Sequence, residues 1–138
     1  MRLFFQIVFA VAVGFGALYA GVVNFYLASG VLHLFYGLDL SSLPAETLSA
    51  IDSSIRLLSG MWIAAGLVTL VVLPRFENNT TVLRLVLLGM ALGAVGELLA
   101  KIEFDGDVTT AVIKASVQVA IYLALEVWRS FLCRARTA

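Results

Sequence analysis

Few side chains in this sequence are equipped for chemistry, and the one most out of place is Glu97. It sits in "LVLLGMALGAVGELLAKI", Leu85 to Ile102, as the only acid of an apolar run. A charge carried into a hydrocarbon layer costs ~3 kcal/mol or more. Burial raises a carboxylate's pKa and a nearby cation lowers it. Three roles therefore fit Glu97: an ion pair with Arg56 or Lys101 that fixes helix register, the polar end of a ligand cavity, or a proton-carrying carboxylate. Glu97 lies thirteen residues past Arg84, about 20 Å along a helix axis at 1.5 Å per residue. Arg56 enters its own apolar run at a similar depth, His33 ends the first run there, and Asn24 lies about two turns deeper. The expected ligand-binding cluster is Glu97, Arg56, Asn24 and His33, with Lys101 and Lys114 near its mouth. Gln118 and Tyr122 add polar groups from the last apolar run.

Glu126 and Arg129 are spaced i, i+3, which favours a local pair near a membrane interface. No metal or other cofactor is expected, because one His and one Cys on opposite sides build no conventional metal site. The single cysteine, Cys133, excludes an internal disulfide and reads as an idle thiol. Signatures of catalysis are absent: no G-x-S-x-G, P-loop, GxGxxG or H-E-x-x-H. Trp62, Trp128, Tyr36 and Tyr122 read mainly as core or belt aromatics.

The elements that position these groups follow from composition. The 138 residues are 62% hydrophobic and only 13% charged, with a mean hydropathy of +1.03. A soluble domain carries about twice that charge, so the class is integral membrane protein, in one domain. Net charge is zero and no basic patch points to nucleic acid. Four runs satisfy the ~20 apolar residues of a spanning helix, at about 3–32, 55–73, 82–100 and 108–132. None alternates with period two, so the expected fold is an all-α, four-helix transmembrane bundle. The first run is read as a retained helix, since it exceeds a signal-peptide core and no A-x-A site follows it.

Between the first two runs, "DLSSLPAETLSAIDSS" predicts a short interfacial helix, with Pro44 and Glu46 in its first turn. The other connections are "PRFENNTT" and "EFDGD". With both termini in the cytoplasm, the inner side holds Arg2, Arg75, Arg84, Arg129, Arg134 and Arg136, and the outer side Arg56, Lys101 and Lys114. That bias sets the orientation. It leaves the Asn78-Asn79-Thr80 sequon on the cytoplasmic side, where it is a chance match.

Helices in lipid pack closely through small residues. Gly14, Ala17, Gly21, Asn24 and Ala28 share a face of the first span. Gly60 and Ala64 follow Arg56 on the second. Gly89 and Gly93 precede Glu97 on the third. Ala111 and Ala115 precede Gln118, Tyr122, Glu126 and Arg129 on the fourth. Each small-residue face carries its span's polar groups, so these faces are expected to point inward; helix oligomerisation is the competing reading of the GxxxG.

The stretch "YGLDLSSLPAETLSAIDSSIRLLSGMWIAAGLVTLVVLPRFE" resembles small bacterial four-span membrane proteins known only as a domain of unknown function, within the broader DoxX-like group. The most specific parts are "IRLLSGMWIAAGL", Ile55 to Leu67, and "LRLVLLGMALGAVGELL". The resemblance implies a four-helix bundle in the bacterial inner membrane and no settled activity. Relatives carry a basic residue near position 97 and a basic, proline-containing loop after it, where this chain has Glu97 and "AKIEFDGD".

The residues favour a non-enzymatic membrane protein. Its partners would be the bilayer, a lipid or small hydrophobic ligand, a second copy, or a membrane protein that it serves as accessory subunit. An oligomeric transporter or channel subunit is one alternative. A membrane isomerase-like or redox-accessory enzyme, using Glu97 and His33, is another. Glu97→Leu is expected to lower the melting temperature in detergent, because it strands Arg56 or Lys101; breaking such a pair costs up to ~3–5 kcal/mol when fully buried. An unchanged melting temperature would count against the pair.

Overall fold

The computed structural model describes residues 1–103 and 108–134; within these, the side chains of Phe35, Tyr36, Glu97, Ala100, Lys101, Glu103 and Ala111 fall outside the description. The expected turn at 104–107 and Arg136 also lie outside the described residues. The described residues are mostly helical, with no strand among them. In order, α1 is Arg2–Phe9, followed directly by a π-helical segment Ala10–Phe15 and by α2, Gly16–Leu27. Then come α3 (Gly30–Tyr36), α4 (Ala45–Val72), a 3₁₀ turn Leu73–Arg75, α5 (Thr80–Glu103) and α6 (Val108–Arg134).

Among the described residues, three helices are long and apolar enough to cross a membrane: Arg2–Leu27, Ala45–Arg75 and Val108–Arg134; the apolar stretch Thr80–Gly96 of α5 is shorter. The chain divides into two compact units. One holds Met1–Phe9 with Val72–Ala138, the other Ala10–Val71.

Two boundaries differ from the sequence expectation. The first span, expected to run through residue 32, ends at Leu27. Ala28 there adopts φ 45° and ψ −122°, a left-handed conformation that an L side chain rarely takes. Its N–H still donates to the Asn24 carbonyl, and the chain restarts as α3 with Val31 N–H on the Ala28 carbonyl. The separate interfacial helix is also absent as such: its residues form the first turns of α4, which continues unbroken into the second span. Pro44 precedes that helix, and its carbonyl accepts the first intrahelical bond from Leu48 N–H. No proline interrupts α4 between Ala45 and Val72. The polar side chains are accommodated locally, with the Ser54 hydroxyl donating to the Ala50 carbonyl.

In the unit 10–71, the small-residue face of the first span packs as expected: Ala17, Gly21 and Ala28 are buried with Val13. Its counterpart on α4 is offset from the predicted Gly60 and Ala64. The buried residues are Ser59, Gly66 and Thr69, and Gly60 faces open space. Backbones touch at this seam. A Cβ on Gly66 would lie 2.7 Å from the Gly14 carbonyl oxygen, and one on Gly21 2.8 Å from the Ile63 nitrogen. The Ser59 and Thr69 hydroxyls bond back to the Ile55 and Ala65 carbonyls, so they enter the seam without leaving a donor unpaired.

In the other unit, α5 contributes Leu83, Leu87, Met90 and Ala94, a stripe at helical spacing. This corrects the GxxxG expectation: Gly89 and Gly93 are exposed and a Cβ on either would meet nothing. On α6, Ala115, Leu125 and Arg129 are buried, and Gln118, Tyr122 and Glu126 are half-buried on the same face. Phe5 is fully buried; its ring lies 5.4 Å from Phe9, 5.1 Å from Phe76 and 5.1 Å from Trp128. The Gln6 amide donates to the Leu73 and Pro74 carbonyls, groups that a helix end leaves without an intrahelical partner.

The two kinds of glycine separate experimentally. Gly66→Ala is expected to destabilise the protein by about 1–3 kcal/mol through overpacking against backbone. Gly93→Ala is expected to be neutral or to stabilise by up to ~1 kcal/mol through helix propensity. Thermal unfolding of the two variants in the same detergent measures the contrast.

Candidate functional site

Polar groups gather in two places, one in each unit. In the unit 10–71, α4 carries Asp52 and Arg56 one turn apart, with Nε 2.8 Å from Oδ2. The pair straddles the break between α2 and α3. Arg56 Nη1 donates to the Phe25 carbonyl at 2.9 Å, near the C-terminus of α2, and its guanidinium lies 5.7 Å from the Phe25 ring centre. Asp52 Oδ1 accepts from the Ser29 N–H at 3.0 Å, just before α3. A cation at one helix end and an anion at the next helix start match the two end charges. A depression of about 320 Å³ adjoins Asp52, lined by Ser29, Ala45, Leu48, Ser49 and Ser53.

The other predicted members are spread across both units. Asn24 is half-buried on α2, next in sequence to the Phe25 carbonyl that Arg56 holds. His33 is exposed, and its Nδ1 lies 3.2 Å from the Leu38 carbonyl. A carbonyl only accepts, so that nitrogen carries the proton. Gly37 closes α3 in the left-handed conformation, its N–H on the His33 carbonyl. In the loop after it, hydrogen bonds from Ser41 hold the Asp39 carboxyl below the usual carboxylate range. The Glu97 and Lys101 side chains lie outside the described residues. Lys114 is exposed on α6.

The second cluster is the more deeply set. Arg129 is 1% exposed and grips Glu126 side-on through two bonds: Nε to Oε2 at 2.7 Å and Nη2 to Oε1 at 2.6 Å. Arg84, from α5, donates its Nε to the same Oε1 at 2.8 Å. The Ser130 hydroxyl also donates to Oε1 at 3.3 Å, and Arg129 Nη1 lies 3.8 Å from Cys133 Sγ. A carboxylate held by two guanidiniums joins α5 to α6, and the three groups together carry one net positive charge. The Glu126–Arg129 pair was expected from spacing. Arg84, 42 residues away, and the burial of Arg129 were not. The available signal was charge complementarity between the start of one apolar run and the end of the next.

This arrangement orients cations at helix ends and presents donors to an anion. Among the described residues, no group of three or more His, Cys, Asp and Glu is placed to hold a metal. Apolar helices of spanning length, with their charges paired near helix ends, define the class: a helical integral membrane protein. Residues 1–116 match the family described as a domain of unknown function (DUF4345), and the chain belongs to that family. No curated protein and no solved structure matches the sequence.

Glu126→Leu strands a buried guanidinium. It is expected to cost about 3 kcal/mol, the lower end for a broken buried pair, since the Glu126 side chain is itself 27% exposed. Arg84→Gln removes a 59% exposed partner and is expected to cost less than about 1 kcal/mol. Equal losses of stability in the two variants would contradict the described geometry.

Proposed function

We propose that the protein is a non-enzymatic membrane protein that binds a lipid or small hydrophobic ligand along its helices. The other form of the same non-enzymatic reading is an accessory subunit of a membrane partner. We place it in the bacterial inner membrane as a four-span bundle with both termini cytoplasmic, related to the DoxX-like group. The observation that carries the reading is uncovered apolar surface: in their most apolar stretches, the three long helices are only 28%, 22% and 12% buried within the chain. Hydrocarbon or a partner must cover the remainder, because leaving it to water costs ~25 cal/mol per Å². In the unit 10–71, Arg56, Asn24 and His33 are the groups assigned to orient the polar end of a ligand; in the other unit, Gln118, Tyr122 and Glu97 are assigned that part separately. Half-buried placement of Asn24, Gln118 and Tyr122 supports their part in this.

Native mass spectrometry of the protein released from lipid nanodiscs tests the reading. Stoichiometric retention of a lipid, a small apolar molecule or a defined membrane protein is the expected result. A folded protein released with nothing bound would overturn it.

A further inference from the structure

We propose that the arginine-rich end of the unit built from α1, α5 and α6 binds the anionic headgroup of a membrane phospholipid, with Arg84 meeting the phosphate. The inference deepens the lipid-binding reading above, on which it rests, by naming the headgroup.

Contacts within this unit bring four chain segments to one end. Arg2, at the start of α1, lies 3.3 Å from Glu77 and 5.4 Å from the Phe76 ring centre, both in the turn before α5. Phe5 touches Trp128 of α6, and Arg84 of α5 reaches Glu126 of α6. The described residues at this end include five arginines, Arg2, Arg75, Arg84, Arg129 and Arg134, against two acids, Glu77 and Glu126. A positive excess of three remains. Basic residues beside an anionic membrane surface each contribute ~1 kcal/mol, about five-fold in affinity.

Arg84 is one of the places where this excess reaches the surface. The side-on, two-bond grip of Arg129 already answers the charge of Glu126. Arg84 adds a second cation to the same carboxylate and commits its Nε. A guanidinium has five N–H donors in a planar fork suited to phosphate, and this side chain is 59% exposed. Arg84 is the fifth residue of α5, about 6 Å from the helix start, the depth of a headgroup. Two leucines on the same helix face favour a lipid over a free anion. Leu88 and Leu92, at four-residue steps beyond Arg84, are 54% and 61% exposed, a seat for acyl chains beneath the phosphate.

The test uses the full chain, delipidated in detergent and titrated with phosphatidylglycerol or phosphatidylcholine of matched acyl chains, read by native mass spectrometry. The wild type is expected to bind phosphatidylglycerol at least about five-fold more tightly. Arg84→Gln is expected to lose about that factor for phosphatidylglycerol and to leave phosphatidylcholine unchanged, while Arg84→Lys retains most of the preference. The Glu126–Arg129 pair persists in both variants, and their melting temperatures are recorded alongside to verify folding. Equal binding of the two lipids by the wild type, or a preference that survives Arg84→Gln, would overturn the headgroup assignment and leave lipid binding standing. Binding of neither lipid would sink both. Displacement of phosphatidylglycerol by millimolar inorganic phosphate would overturn the lipid source in favour of a free anion.

Discussion

An arginine with almost no exposed surface, set toward the end of an apolar helix, is the constraint on which the rest depends. Arg129 holds its place because both carboxylate oxygens of Glu126, one turn before it, accept from its side-on edge. A buried charge without such a partner is among the most costly features a fold can contain. The pair then recruits Arg84 from α5, so a local necessity on one helix becomes a junction between two. Close by, Phe5 meets Trp128 edge-on and Phe76 at a tilt, and Arg2 spans Phe76 and Glu77. Apolar contact and charge neutralisation thus coincide at the same end of this unit.

The same logic operates on a smaller scale in the other unit. Breaking a helix inside an apolar stretch strands backbone groups that have no water to turn to. The break at Ala28 leaves a carbonyl behind it and an N–H ahead of it. Arg56 and Asp52, spaced one turn apart, cover one each. Hydroxyls enter the seam between α2 and α4 only where their own helix accepts the proton, as at Ser59 and Thr69. Glycine then decides how near the two backbones come. Gly14, Gly21 and Gly66 sit where a methyl group would collide, whereas Gly89 and Gly93 do not.

Composition made the membrane class and the helical fold legible, because a chain so poor in charge has few other ways to satisfy its backbone. The face of the first span was legible too, since glycine and alanine recurred there at helical spacing. The α4 seam lies one register position from the sequence expectation: Gly60 and Gly66 look alike in sequence, and only the partner backbone distinguishes them. The break at Ala28 had no sequence signal, because alanine is an ordinary helix former and the glycine expected of a left-handed residue is not there. Among polar groups, the i, i+3 spacing revealed Glu126 with Arg129. The sequence points to Arg56 with Glu97 as its partner; among the described residues, Arg56 pairs with Asp52, four residues before it on the same helix. Local charge pairs are readable from spacing, whereas contacts across helices, such as Arg84 with Glu126, depend on rotations that sequence does not encode directly.

The central claim is that apolar helices retain a buried cation here by neutralising it within the chain. A dipolar-recoupling solid-state NMR measurement between the labelled Arg129 guanidinium nitrogens and the Glu126 carboxyl carbon, made in bilayers, examines this most directly. Strong transfer is the result expected of the 2.6 Å contact between Nη2 and Oε1. Absence of transfer in folded, bilayer-embedded protein would contradict it.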